Sequence, residues 1–312
     1  MTQAFDKVWP RELLVKLSKI LPKQYVELLE SYLTDRLFRV KEDDDYSELK
    51  EIRAGVPQGS ALGPLLYLLY TCDVPQSEET MIATFADDTA ILAVASSVDE
   101  ATQQLNLASD KILKWTSKWR IKLNETKSVH VNFTNKRLES PPRVFIGDIK
   151  VPHGNTAKYL GMTLDAKLRW KEHVKKKKEE LGLKYRELYW LIGRNSKVSI
   201  ENKLKIYNQV LKPVWLYGIQ LWGCAKKSHI RSIQTFQNKV LRNIVNAPWY
   251  VRNTDIHRDL EMPYVVSEVK KFAVKHEDRL FQHPNEEVRE LLDQRGLNRR
   301  LKRTKPFELA FR

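Results

Sequence analysis

The chain has 312 residues, 42% of them apolar and 30% charged, the balance of a folded chain long enough for one large or two to three smaller cores. Its 54 Lys and Arg against 39 Asp and Glu leave a formal charge of +15, the sign of a chain that meets a polyanion, nucleic acid first. Two cysteines, Cys72 and Cys224, with no ligand-spaced histidine cluster, argue against zinc; neither a signal peptide nor an apolar span of ~20 residues is seen, so neither secretion nor membrane insertion is indicated. Both cysteines sit in apolar runs and read as buried free thiols of a reducing compartment.

Pro10 opens a helical pattern to about residue 20, with Leu13, Leu14 and Leu17 on one face, and Pro22 opens a second with Val26, Leu29, Leu33 and Leu37. Residues 38–41 and 49–53 read as strands around Glu42-Asp43-Asp44-Asp45, a solvated acidic tip. Ala54-Gly55-Val56-Pro57-Gln58-Gly59-Ser60 is a punctuated loop that feeds an apolar helix over 61–72. Two apolar runs, 81–85 and 89–94, flank Asp87-Asp88 as a β-hairpin with carboxylates at its tip. A long amphipathic helix covers 98–120, with Ala101, Leu105, Ala108, Ile112, Trp115 and Trp119 on one face. Residues 128–133 alternate like a strand, 144–151 like a hairpin turning at Gly147-Asp148, and 159–164 like a further strand. Helical patterns then dominate: 170–193, 199–222, 227–246, 264–283 and 285–293. The shift in character predicts an α+β chain with a boundary near residue 166 and a weaker one near Pro248.

Two acids side by side at a hairpin tip disfavour each other's ionisation, a penalty that a divalent cation removes. Mg²⁺ takes a few hard oxygens and keeps the rest of its shell for phosphate, and two such ions serve nucleotide polymerisation. Taken alone, the pair is weak evidence, since most such pairs are solvated turns; the flanking strands, the aromatic and the basic composition are what raise the chemical reading.

Phe85-Ala86-Asp87-Asp88 resembles the signature of reverse transcriptases, and further segments match that family in order. Ala4-Phe5-Asp6-Lys7-Val8-Trp9 is similar to the end of its first palm motif, and the 54–60 loop with Leu62-Gly63-Pro64 to its second. Ile121-Lys122-Leu123-Asn124-Glu125-Thr126-Lys127-Ser128 resembles its fourth, and Lys158-Tyr159-Leu160-Gly161-Met162-Thr163-Leu164-Asp165 its primer grip. Tyr217-Gly218-Ile219-Gln220-Leu221-Trp222-Gly223 and Ala247-Pro248-Trp249-Tyr250-Val251-Arg252-Asn253 resemble jockey-type non-LTR retrotransposons of arthropods.

The resemblance implies a polymerase palm, an antiparallel sheet with packed helices, over 1–165, a helical thumb over 166–250 and a helical C-terminal region with a basic tail over 251–312. It implies an RNA-directed DNA polymerase acting with Mg²⁺ (or Mn²⁺) on RNA template, DNA primer and deoxynucleoside triphosphates, inside the cell and in the nucleus when on DNA, with no membrane partner. Asp87 and Asp88 match the acidic pair that holds metal. Phe5 matches the ring that excludes a ribose 2′-hydroxyl, or is core. Gln58 and Gly59 match the loop that meets nucleotide and template, or form a plain turn. Lys127 matches the proton donor to pyrophosphate, or faces phosphate or solvent. Tyr159, Leu160 and Gly161 match the primer grip, or are a core strand. Asp6 is expected to cap the following helix or to hydrogen-bond within its motif.

The resemblance implies a first palm motif that begins with a metal-binding aspartate five residues before the aromatic, one position before Met1, and the expectation is that this aspartate, the fingers and an endonuclease domain are missing from these residues. The expectation is that these 312 residues extend primers poorly alone, or act as a nucleic-acid-binding remnant. Lys167, Arg169, Lys171, Lys175, Lys176, Lys177, Lys178, Lys184 and Arg186 crowd one helix, for duplex phosphates or for solvent. Arg295, Arg299, Arg300, Lys302, Arg303 and Lys305 form a basic terminal stretch. Trp190, Trp215, Trp222 and Trp249 read as helical core.

Overall fold

A computed structural model describes residues 5–135, 140, 142–290, 292 and 306–309. The basic stretch from Arg295 to Lys305 lies outside the described residues. Two compact units form, one from residues 1–130 and 138–154, the other from 131–137 and 155–312.

In the first unit a 3₁₀ turn at Phe5–Lys7 leads into α1 (Pro10–Leu17). Pro10 stands at the helix start, where its missing N–H costs nothing. After α2 (Lys23–Leu33) come β1 (Leu37–Phe38), β2 (Lys41–Glu42), β3 (Asp45–Tyr46) and β4 (Lys50–Glu51), with β1 paired to β4 and β2 to β3. The acidic residues turn at Asp43-Asp44 and are exposed, as a solvated tip should be. α3 (Gly63–Thr71) begins where the Ser60 hydroxyl accepts from the Gly63 N–H (2.9 Å). β5 (Thr80–Phe85) and β6 (Asp88–Ala93) pair antiparallel with Phe85 opposite Asp88. α4 (Val98–Lys118) is capped by the Ser97 hydroxyl, which accepts from Glu100 N, while the Glu100 carboxylate reaches back to Ser96. Leu13, Leu17, Leu33, Tyr70 and Trp119 share this unit's core.

The 128–133 segment is not a strand. His130 makes one bridge to His153, and the residue before it in the partner segment is Pro152, which has no N–H to extend a ladder. The hairpin of β7 (Phe145–Ile146) and β8 (Ile149–Lys150) turns at Gly147-Asp148 as expected.

The second unit opens with β9 (Thr156–Tyr159) and β10 (Met162–Asp165). The single strand expected over 159–164 is instead the turn and second arm of a hairpin: left-handed backbone at Leu160 (φ 45°) and Gly161 (φ 74°) reverses the chain in two residues. Then follow α5 (Lys171–Glu187), α6 (Tyr189–Ile192), α7 (Ile200–Ile206), a π-helical turn at Tyr207–Leu211, α8 (Lys212–Leu216) and α9 (Ile219–Trp222). The pattern over 199–222 is thus broken, because Pro213 cannot donate backward and Gly218 takes left-handed backbone. α10 (Lys227–Ile244), α11 (Asn253–Asp259), α12 (Val265–Phe281) and α13 (Glu286–Glu290) complete it; α11 has no counterpart in the expected pattern.

Trp215 and Trp222 are core, packed with Tyr207, Leu211 and Ile233. Trp190 and Trp249 are not: they are 74% and 90% exposed. Trp190 stands on the short helix α6, and Trp249 lies in the loop between α10 and α11 rather than on a helix. Cys72 is also exposed and Cys224 half-buried, each thiol turned to a carbonyl of its own helical turn, so neither is the buried thiol expected.

The chain is α+β. All ladders among the described residues are antiparallel, in five two-stranded pieces rather than one continuous sheet. No helix among the described residues is long and apolar enough to cross a membrane. Charge divides along the sequence: residues 155–312 hold 34 Lys and Arg against 17 Asp and Glu, a net of +17, whereas residues 1–154 hold 20 against 22.

Candidate active site

The first unit gathers three separate motifs around one tyrosine. The 54–60 loop lies on the Phe5–Lys7 turn: Gly55 N donates to Val8 O (2.7 Å) and Val56 N to Phe5 O (2.9 Å). Gly55 has φ 89°, and a Cβ there would stand 2.9 Å from Asp6 Cα, so only glycine lets the two backbones meet. The Arg36 guanidinium donates to Gly55 O (2.5 Å) and Ala54 O (3.2 Å) and fixes the loop from its other side. Gln58 Nε2 donates to Asp6 Oδ1 (2.6 Å). Asp6 therefore serves as a hydrogen-bond partner between motifs; the helix that follows has no side-chain cap.

The loop delivers the chain into α3, which presents Tyr67. Its ring lies 4.6 Å from that of Phe5, centroid to centroid, and its hydroxyl donates to Ala86 O (3.2 Å) at the β5–β6 turn. Burial, and then the negative charge of Asp87, push the Tyr67 hydroxyl up to about 12. At neutral pH Tyr67 thus stays protonated and can only donate to the turn. Ala86 takes left-handed backbone (φ 47°), which makes the turn two residues long and sets Asp87 at its tip. Asp87 is half-buried on the side that Tyr67 senses; Asp88, the first residue of β6, is exposed. Asp87 thus belongs to the turn and Asp88 to the strand that leaves it.

Phe5, Gln58, Asp87 and Asp88 thus belong to one unit, tied through Asp6, Tyr67 and Ala86. Gly59 is exposed at the loop's crest, and nothing lies within 4 Å of where a Cβ would stand. Lys127 ends a 3₁₀ turn (Glu125–Lys127) whose backbone is held by Asn124 Oδ1, and its side chain is exposed. Tyr159, Leu160 and Gly161 lie in the second unit. There the Tyr217 hydroxyl donates to Leu160 O (2.6 Å), so the Tyr217-Gly218 motif braces the β9–β10 turn. Among the described residues no group of three or more His, Cys, Asp and Glu is placed to hold a metal ion. Asp87 and Asp88 offer only part of the oxygen shell that a hard divalent ion requires.

Tyr67 was not singled out by the sequence. No local signal marks it, since α3 carries a second tyrosine, Tyr70, in the same apolar run.

Residues 1–164 match the family model described as reverse transcriptase (RNA-dependent DNA polymerase). The chain belongs to the reverse transcriptase family. Within it, the chain is 42% identical over 315 residues to the probable RNA-directed DNA polymerase from transposon X-element of Drosophila melanogaster, covering 99% of this chain and 34% of that protein. It is 38% identical over 323 residues to the RNA-directed DNA polymerase from mobile element jockey of the same species, covering 98% and 35%. The probable RNA-directed DNA polymerase from transposon BS of that species is also 38% identical, over 97% of this chain and 34% of its own length. This reverse transcriptase-family chain thus spans about a third of the length of the curated relatives it matches. The jockey-type resemblance read from residues 217–223 and 247–253 holds across nearly the whole chain.

Proposed function

We propose that this chain carries the palm and thumb of an RNA-directed DNA polymerase of a non-LTR retrotransposon, adding deoxynucleotides to a DNA primer on an RNA template. The carrying observation is that Tyr67 joins the Phe5 turn, the Gln58 loop and the Asp87 tip in one compact unit, inside the stretch that matches the family. In this reading residues 1–165 are palm, 166–250 thumb and 251–312 a C-terminal region.

The roles follow from the residues. The Phe5 ring, backed by Tyr67, is a flat floor under the sugar that leaves no room for a 2′-oxygen. Gln58, turned toward Asp6, and the open backbone of Gly59 meet the nucleotide and template. Asp87 and Asp88 would hold Mg²⁺ through their carboxylate oxygens, and the ions, when bound, would neutralise phosphate charge and act as Lewis acids. Lys127, exposed, gives a proton to the leaving pyrophosphate. Tyr159, Leu160 and Gly161 steady the primer end.

The test grafts this chain into the jockey relative in place of the matching third and follows primer extension on an RNA template. Asp87→Asn should lower the rate by about 100-fold or more, the scale of losing a group that stabilises transition-state charge, and Phe5→Ala should admit ribonucleotides. Extension undiminished by Asp87→Asn would sink the reading. That no group of three or more His, Cys, Asp and Glu among the described residues is placed to hold a metal, beside the +17 of residues 155–312, favours one second reading, a non-catalytic nucleic-acid-binding remnant: the graft would then bind template and primer and extend nothing.

A further inference from the structure

The loop between α10 and α11 carries two rings that the fold leaves in water. Trp249 is 90% and Tyr250 69% exposed, edge to face with centroids 6.0 Å apart. An indole in water forgoes the burial that usually holds it in place, so packing does not account for these residues. The loop is nevertheless clamped. Arg242 on α10 donates from Nε to Asn253 Oδ1 (2.9 Å), from Nη1 to Pro248 O (2.9 Å) and from Nη2 to Val251 O. Those bonds bracket Trp249 and Tyr250 on both sides and hold their backbone ready for contact, which lowers the ordering cost of binding.

Charge indicates what makes the contact. From residue 202 to residue 254 there is no Asp or Glu, and there are nine Lys and Arg. On α10, Lys227, Arg231 and Lys239 are exposed at multiples of four residues, hence along one face. Arg242 follows Lys239 by three residues, so that face leads to the clamped loop. A ligand with both a chain of negative charge and free aromatic faces fits this surface. Duplex nucleic acid hides its base faces in the stack; a single strand presents them.

We propose that Trp249 and Tyr250 form a stacking platform for the bases of single-stranded nucleic acid, with its phosphates following the basic face of α10. The proposal is independent of the polymerase reading, since neither Asp87 nor a metal ion enters it.

The experiment measures fluorescence anisotropy of labelled oligonucleotides with the whole 312-residue chain, using three probes: a single-stranded RNA, the same strand with abasic sites in place of its bases, and a blunt duplex. Trp249→Ala should weaken binding of the base-bearing strand by about five- to 100-fold, while the abasic strand and the duplex change by less than about twofold. Trp249→Phe should keep most of the affinity, and thermal unfolding should match the parent chain, because the ring buries nothing. Unchanged single-strand binding by Trp249→Ala would overturn the proposal. So would an equal loss on the abasic strand or the duplex. A fall in sedimentation coefficient of the free chain on Trp249→Ala would also overturn it, by assigning the rings to contact between protein copies.

Discussion

At the scale of single residues, two glycines of the 54–60 loop, Gly55 and Gly59, separate strain from collision. Gly55 and Gly59 both have left-handed backbone, with φ 89° and 81°, which costs a side-chain-bearing residue about 1–2 kcal/mol. At Gly59 that is the whole cost, since the space above it is open. At Gly55 the added carbon also meets Asp6 Cα at 2.9 Å, a backbone atom that cannot rotate away. Gly59→Ala should therefore lose about 1 kcal/mol and Gly55→Ala about 2–4 kcal/mol in urea unfolding. Only Gly55→Ala should also displace the Phe5 turn and loosen the Phe5–Tyr67 contact. Equal losses would mean that the loop does not rest on that turn. The spacing of glycines marked the loop in the sequence, but which of them touches another backbone depends on a contact with residue 6, about fifty positions away in the chain, and no local pattern reports that.

At the scale of elements, local signals served where they settled the matter alone. The Asp87-Asp88 hairpin, the Gly147-Asp148 hairpin and the amphipathic 98–120 helix were legible because alternation or helical periodicity is written into adjacent residues. Strand pairing with a distant partner was not: 128–133 alternates, yet Pro152 opposite it denies the ladder. The exposed Trp190 escaped for a similar reason, since periodicity marks a face and does not say whether another helix covers it, and Trp249 because the helix ends at Ile244 and leaves it in a loop. Tyr67, which ties the candidate site together, was silent because its role lies in contacts with Phe5 and Ala86.

One packing joint in the second unit carries a pH signature. His173 on α5 is buried against Trp170 and Trp222, and its Nδ1 accepts from Thr163 N on β10 (3.2 Å). Burial, then the charges of Lys177 and Lys176, push its pKa down to about 4 from 6.5. Protonation would remove the acceptor and place a cation in the joint. The unfolded chain therefore binds this proton more tightly than the folded one between pH 6.5 and 4, and folding stability falls as pH falls through that window. The contribution is on the order of 2–3 kcal/mol. Urea unfolding at pH 7 and pH 4.5 should show the loss, and His173→Asn, which keeps an acceptor but does not titrate, should lessen the dependence by that amount. An equal dependence in the variant would place the titration elsewhere.

At the scale of the whole molecule, the charge of +15 is not spread along the chain: residues 155–312 carry +17 and the remainder is slightly acidic. Polyanion binding should accordingly be a property of the second unit, carried by exposed lysines and not by every lysine. On α5, Lys177 is engaged with Glu180 (3.1 Å), whereas Lys171, Lys175 and Lys178 are exposed at helical spacing. Each phosphate contact contributes about 0.9 to the slope of log affinity against log salt. Replacing Lys171, Lys175 and Lys178 together by Ala should lower that slope by about 2–3, while Lys177→Ala should move it little. Because phosphate contacts carry no sequence information, the loss should be the same for unrelated oligonucleotides. A slope untouched by the triple change would mean that this face of α5 is merely solvated, and that the excess charge acts through α10 and the residues that follow it.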